Sequence, residues 1–215
     1  MKKTIAILLA LMLTLGAVSC GGTSNGDDTT SGADQETTTS DQGGAGDSTT
    51  KADDTASDAS DPLEVLNNVW DSFSDDEKFS AAGGADGTGE HDVMDAPGEF
   101  KCEGSLLSWK FAYPEDQADK VDSAASLEHM MNGNTFTAGA FHLKDKADAE
   151  TVAKALHDSL QARQWMCGFP DKLVIVSVDS VIVSVFGNEE LVNNFRDKLS
   201  AAYSTASILY DEPIQ

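Results

Sequence analysis

The cysteine at position 20 is the side chain whose neighbours define a chemistry most clearly. It follows a basic start, an apolar run from Ile5 to Leu15 and the small residues Ala17 to Ser19. This order is typical of a signal peptide, and the run is shorter than the roughly 20 apolar residues that a membrane span needs. A cysteine directly after the small residues is where a thioether to diacylglycerol forms. We therefore predict a lipoprotein signal peptide over residues 1–19 and a diacylglycerol-type anchor on Cys20, because two acyl chains attach stably.

A plain secretory signal peptide that happens to contain a cysteine is the alternative. Ala17 stands where leucine is usual, which keeps that alternative open. Under the lipoprotein interpretation, the protein is held by its lipid at the extracytoplasmic face of the cell membrane.

Cys102 and Cys167 are the two cysteines that remain. A disulfide between them is possible outside the cytoplasm and would stabilise the fold by roughly 4 kcal/mol through loop entropy. The alternative is that Cys167 is a free core residue of a packed corner. The chain has no Cys-x-x-Cys, so neither a thioredoxin-type site nor a zinc ribbon is predicted.

Methionine, cysteine and histidine side chains are the ligands that Cu(I) prefers. Methionine is also the usual filler of irregular gaps in apolar cores. We predict core packing and no metal site, with copper as the alternative. The candidate ligands are Met94, His129, Met130, Met131, Met166 and Cys167.

Oxygen ligands for calcium occur in the run Asp86 to Asp92, which lacks the alternating pattern of an EF-hand loop. We predict a mobile surface loop there, with calcium as the alternative. No Gly-x-Ser-x-Gly elbow, His-Glu-x-x-His helix or dinucleotide-binding glycine motif is present. The sequence therefore predicts no catalytic residue, no cofactor and no enzymatic activity.

The segment over residues 20–61 has the composition of a disordered tether behind the anchor. After Cys20 it contains no Val, Ile, Leu, Met, Phe, Trp or Tyr, so it has nothing to bury against the entropy of ordering. A flexible chain of this length spans roughly 35 Å and would hold the following domain away from the membrane. Diffuse binding of calcium or basic partners, and O-linked sugars, are alternative roles.

Acidic residues outnumber basic ones by 37 to 14, and the net charge is −23. Of this charge, −16 falls on residues 62–215. Such a surface repels nucleic-acid phosphates and anionic lipid headgroups. We predict no nucleic-acid binding, and contact with the membrane through the lipid on Cys20 alone.

Residues 62–215 carry the signals of a single α+β domain. Asp61-Pro62 predicts the start of a helix, the Gly-rich stretch from Ala81 to Pro97 predicts a long loop, and Pro114 predicts a short helix ending near Val121. Asn132-Gly133 predicts a hairpin with a type I′ turn.

The second half of the domain predicts a helix over residues 147–164, a hairpin of strands 173–178 and 181–186, and a last helix carrying Leu191 to Tyr203. The second hairpin is apolar on both faces and must be covered on both. We predict a four-stranded, mainly antiparallel sheet of two hairpins in ββαββα order. The two long helices would lie on one face, and the N-terminal helix would precede the first hairpin.

The segment Trp165 to Pro170 lies between a helix and the most apolar strand. We predict that the chain reverses there and buries Trp165 and Phe169, with a positive φ at Gly168.

Four stretches of the chain carry a resemblance to a known family: Asp95 to Gly98, His129 to Asn132, Asn134 to Thr137 and Arg163 to Pro170. They resemble uncharacterised lipoproteins of clostridia and related Gram-positive anaerobes, and the order of elements is similar to larger domain-of-unknown-function lipoproteins of those bacteria. The resemblance carries no activity, and it implies the outer leaflet of a Gram-positive plasma membrane. It includes Cys167 but not Cys102.

Two classes of function follow from these observations. The first is a non-catalytic lipoprotein whose domain binds a protein or peptide partner. The second is a small solute- or metal-binding receptor at the cell surface, although transporter-linked receptors usually have two lobes and about twice this length.

Overall fold

A computed structural model describes residues 59–90 and 92–215. The predicted signal peptide, the lipidation of Cys20 and the tether up to residue 58 lie outside the described residues. So does His91, in the candidate calcium loop.

Four α-helices, eight strands and two short 3-10 helices make up the described part of the chain. The predicted N-terminal helix, both hairpins and the two long helices are confirmed. The helix α2 was not predicted. The helices are α1 Pro62–Asp71, α2 Gly104–Phe111, α3 Ala149–Ala162 and α4 Glu189–Ala202, with 3-10 turns at Glu115–Lys120 and Lys146–Asp148. The strands are β1 Ala81–Gly83, β2 Val93–Met94, β3 Gly98–Phe100, β4 Val121–His129, β5 Phe136–Leu143, β6 Lys172–Val178, β7 Val181–Gly187 and β8 Ser207–Pro213.

The eight strands form one antiparallel sheet in the order β2-β1-β4-β5-β7-β6-β8, with β3 also paired to β4. The predicted count of four strands is wrong, because β1, β2, β3 and β8 add to the two hairpins, and the first two of these lie in the stretch predicted as a long loop. Glycine makes this possible: a Cβ on Gly83 would lie 2.1 Å from the Gly98 nitrogen, so the two backbones approach too closely for a side chain. The strand β8 pairs with β6 and forms the edge of the sheet opposite to β2.

Helices cover both faces of the sheet. Helices α1 and α4 pack on one face, and α2 and α3 pack on the other. The prediction that α3 and α4 share a face is therefore wrong. The reason is that β6 and β7 present branched or aromatic side chains in both directions, and each long helix covers one of the two apolar faces. One face carries Val174, Val176, Val183 and Val185, and the other carries Leu173, Ile175, Ile182 and Phe186.

The described fold begins before Pro62. Ala59 is buried in the core; its N–H donates to Asp179 Oδ2 and its carbonyl accepts from Ser180 Oγ, both at 3.0 Å. Asp61 caps α1, since its Oδ1 accepts from the Leu63 N–H at 2.9 Å. The chain thus joins the domain at the β6–β7 turn, and residues 59–61 add to the predicted range 62–215. Within the described residues, no helix combines the length and apolar content that a bilayer crossing requires.

His157 of α3 binds the last strand, β8, through contacts that we call the His157 clasp. The Nε2 atom of His157 lies 2.8 Å from Glu212 Oε1 on β8, its Nδ1 lies 2.9 Å from Asp158 Oδ1, and its ring stacks on Tyr210 at 4.2 Å. Both nitrogens donate only in the charged imidazolium. Partial burial lowers the pKa of His157, but the hydrogen bonds to Glu212 and Asp158 outweigh it and raise the pKa above its ordinary value.

We expect Asp61→Ala to lower the free energy of unfolding by about 0.5–2 kcal/mol, because an uncapped helix start leaves amide donors unsatisfied. Asp71→Ala is the matched control: Asp71 is an exposed aspartate at the other end of α1, where a negative charge opposes the helix dipole. Urea unfolding of the two variants and the parent measures the difference. Equal losses would show that Asp61 does not cap the helix.

We expect the His157 clasp to stabilise the fold more at low than at high pH. A raised histidine pKa contributes stability that is fully present below the unfolded value of about 6.5 and is lost as the pH rises through the folded value. The difference in unfolding free energy between the parent and His157→Gln should therefore be larger at about pH 5.5 than at about pH 8.5. A difference that does not change with pH would contradict a charged clasp.

Candidate interaction surface

The loop between β4 and β5 positions one side of the candidate site. The hairpin predicted at Asn132-Gly133 is confirmed, since Glu128 pairs with Thr137. The type I′ turn is wrong, because it requires positive φ at both central residues and neither Asn132 nor Gly133 has one. Instead residues 130–135 form a wider loop in which Asn132 Oδ1 accepts from the Asn134 N–H at 3.0 Å.

Two asparagine side chains join this loop to the segment after α3. Asn132 Nδ2 donates to the Cys167 carbonyl at 3.0 Å, and Asn134 Nδ2 donates to the carbonyls of Met166 and Gly168 at 2.6 and 3.0 Å. We call these contacts the asparagine bridge. Cys167 and Gly168 both have positive φ, 63° and 124°, so the segment reverses sharply while its carbonyls stay paired. The positive φ expected at Gly168 is confirmed.

The asparagine bridge holds the backbone of the corner from Trp165 to Pro170, but it leaves several side chains of this corner exposed. Trp165 is half-buried, with its ring centroid 5.1 Å from that of Phe186. Phe169 is 59% exposed and Met166 is 79% exposed, although Pro170 is buried. The predicted burial of Phe169 is therefore wrong, and that of Trp165 holds only in part.

Large apolar side chains are exposed on both sides of the asparagine bridge. Met131 is 77% exposed on the β4–β5 loop, a degree that is unusual for a residue type that is mostly buried. Clustered exposed apolar residues in a folded protein mark contact sites more often than single ones do. We call this set the distal surface: Trp109, Met130, Met131, Met166 and Phe169.

Two clefts flank Asn134 within the distal surface. One has a volume of about 160 Å³ and is lined by Trp109, Lys110 and Arg163, among others. The other has a volume of about 260 Å³ and is lined by Phe169 together with Asn132, Gly168 and Asn188. Each cleft is the size of one or two side chains of a larger molecule, and polar residues make up most of both linings.

Arg163 holds the end of α2 in place beside Trp109. Its guanidinium donates to the carbonyls of Trp109 and Lys110 at 3.0 and 3.2 Å, at the end of α2, and stacks on Trp165 at 4.8 Å. Burial lowers the pKa of Arg163 below its ordinary value. Lys110 Nζ in turn lies 2.5 Å from Glu128 Oε1 on β4. Both cations are therefore bound within the protein and do not face solvent as free charges.

The possible disulfide between Cys102 and Cys167 is not formed in this structure, where both are exposed free thiols. Cys102 lies just past β3, near Asp122, where desolvation raises the pKa of its thiol. Cys167 lies beside Asn132, at the other end of the nine-residue β4. The two are thus separated by roughly 25–30 Å, whereas bonded cysteines have Cα atoms within about 7 Å.

The predicted core packing of the methionines is wrong for all four candidates, because Met94, Met130, Met131 and Met166 are exposed. The fold does bring four of the candidate copper ligands to the loops that the asparagine bridge joins: Met130, Met131, Met166 and Cys167. His129 lies apart from them, on the face of the sheet that α1 and α4 cover, where its ring stacks on Phe79 at 5.5 Å.

In the candidate calcium loop, Asp86 is buried and its Oδ1 accepts from the backbone and hydroxyl of Thr88 at 2.8 and 2.6 Å. Over the part of the chain that the structure describes, no three His, Cys, Asp or Glu side chains group as metal ligands would.

The sequence did not reveal Trp109 or the role of Arg163, because α2 is a short helix without a clear polar face. For the asparagine bridge, the one local signal is Asn132-Gly133, and this pair predicts only a turn.

The position of the distal surface relative to the chain's point of attachment follows from the register. Phe136 pairs with Gly187 and His142 pairs with Val181, so the β4–β5 loop and the β6–β7 turn lie at opposite ends of the strands. Ala59 is held at the β6–β7 turn. The seven residues of β7 separate the two ends by roughly 20–25 Å.

We expect Trp165→Ala to lower the free energy of unfolding by about 2 kcal/mol, less than the 3–5 kcal/mol typical of a fully buried tryptophan, because the side chain is only partly buried. Phe169→Ala should change it by no more than about 0.5 kcal/mol, as other surface substitutions do. Thermal and urea unfolding of both variants provide the measurement. A large loss for Phe169→Ala would mean that the ring is packed and that the distal surface is smaller.

Comparison of the chain with protein-family models, with curated proteins and with solved structures finds no match.

Proposed function

We propose that this protein is a lipid-anchored, extracytoplasmic lipoprotein, of the kind its sequence resembles, whose domain binds a protein or peptide partner through the distal surface. The observation that carries the proposal is the exposure of Met131, Met166 and Phe169 on a backbone fixed by the asparagine bridge. Folding alone gives no reason to expose these side chains, because burying each one would stabilise the fold by about 1.5–3 kcal/mol.

The residue types at the distal surface support this proposal. Aromatic residues, methionine and arginine are enriched in protein interfaces, and aromatic residues such as Trp109 contribute most to binding energy. Methionine adapts its unbranched side chain to partners of different shape.

Preorganisation of the backbone supports it as well. Binding costs less when the loops that form the contact are already ordered. Asn132 and Asn134 hold both loops through short side chains that are themselves hydrogen-bonded to main-chain groups. The partner would therefore meet flexible side chains on a fixed frame.

Orientation gives a third argument. The tether predicted from the sequence leads to Ala59, which is bound at the end of the sheet opposite to the distal surface. With Cys20 in the membrane, the distal surface would be free to face away from the lipid and towards other extracytoplasmic molecules.

The test places a photo-cross-linking phenylalanine analogue at position 169 of the full chain in living cells. We expect a discrete adduct in the membrane fraction, because position 169 would lie within the contact. The matched control carries the analogue at position 208, since Ile208 is an exposed residue of β8 outside the distal surface. Adding Cys20→Ala should remove both protein and adduct from that fraction. No adduct from position 169, or equal adducts from both positions, would refute the proposal.

A further inference from the structure

We infer that the partner segment at the distal surface is cationic and amphipathic, with Lys or Arg beside apolar side chains. This inference rests on the proposed function and adds the chemistry of the partner. It follows from the charges that border the distal surface and from those of the rest of the chain.

Unpaired acidic residues border the cleft that contains Phe169. Asp171 lines this cleft, and its Oδ2 accepts from the Glu189 N–H at 3.1 Å, which brings the start of α4 to the same rim. Asp171, Glu189 and Glu190 are exposed, and none forms an ion pair with another described residue. The glutamates also suit the positive end of the α4 dipole, but their side chains remain in solvent.

The cations that border the distal surface do not neutralise the negative charge of this rim. Arg163 is bound to two carbonyls, and Lys110 is paired with Glu128. The rim thus presents negative charge beside the exposed apolar side chains of the distal surface, a pattern that a positive, amphipathic ligand complements.

Charge also argues against three other occupants. The chain's own segment before the domain carries ten acidic residues from 21 to 61 against the single Lys51, so the acidic rim repels it. A second copy of the domain brings a further −16 charges. Anionic lipid headgroups are repelled in the same way. A positively charged segment of another extracytoplasmic protein is the occupant that both the exposed apolar residues and the acidic rim favour.

The experiment uses the chain from residue 20 to 215 with Cys20→Ser and three synthetic peptides of equal length. The first is an amphipathic leucine–lysine helix, the second has every lysine replaced by glutamate, and the third has every leucine replaced by serine. Titration calorimetry gives the affinities, and amide NMR shifts locate the contact. We expect only the leucine–lysine peptide to bind, with shifts at Met131, Met166 and Phe169.

Two pairs of charge variants separate the rim from the general acidity of the chain. Glu189→Gln with Glu190→Gln should weaken binding of the leucine–lysine peptide about three- to tenfold. The matched pair Glu115→Gln with Asp116→Asn removes two exposed acids from the start of the 3-10 helix at the other end of the sheet, and it should leave the affinity unchanged. Met131→Ser with Phe169→Ser should weaken binding more than tenfold, and an unchanged melting temperature would show that these variants are folded.

Each other outcome overturns the inference. Equal losses from both charge pairs would show attraction to the whole acidic chain and not to the rim. Stronger binding of the leucine–glutamate peptide, with shifts at the distal surface, would refute a cationic partner but leave the proposed function standing. Absence of shifts at the distal surface with every peptide would refute the partner chemistry, and the cross-linking at position 169 then decides the proposed function independently.

Discussion

The constraint on which this structure depends is that its central hairpin is apolar on both faces. Strands β6 and β7 present valine to one side and leucine, isoleucine or phenylalanine to the other. Neither face tolerates water, so a helix layer is needed above and below. The chain satisfies this need by sending α3 to one face and α4 to the other. The loops that connect the layers are then forced to the two ends of the strands.

The two ends of the strands are stabilised by different kinds of contact. At one end, Ala59 is buried and hydrogen-bonded to the β6–β7 turn, so the chain before the domain is joined to well-packed structure. At the other end, Asn132 and Asn134 satisfy the carbonyls of the corner after α3, while Met166 and Phe169 of that corner stay exposed. Main-chain hydrogen bonds can thus stabilise a reversal while the apolar side chains around it stay in solvent.

How much of this follows from the sequence depends on whether the determining interaction is local. Asp61-Pro62, the period of α3 and the β-branched run in β6 and β7 act over a few residues, and the elements they predict are present. The short strands β1 and β2 have no such period, because the close approach of Gly83 and Gly98 that permits them joins residues apart in the chain.

The candidate site was harder to predict for the same reason. Trp165-Met166-Cys167-Gly168-Phe169 has the composition of a buried corner, but its backbone is held by Asn132 and Asn134, more than thirty positions away, and Phe169 is exposed. The side of the sheet that each long helix covers also depends on contacts between residues that are far apart in the chain. The sequence left open whether Cys102 and Cys167 are bonded, whereas the register of β3 and β4 sets them at opposite ends.

The asparagine bridge has a consequence for how such a protein changes over generations. Because the backbone of the corner depends on amide–carbonyl contacts, the exposed side chains of Met131, Met166 and Phe169 contribute little to folding. Substitutions at those positions are therefore nearly free of a stability penalty, while Asn132, Asn134 and Gly168 are not replaceable on the same terms. Descendants of this chain can acquire a new specificity by exchanging a few surface residues and keep the same scaffold.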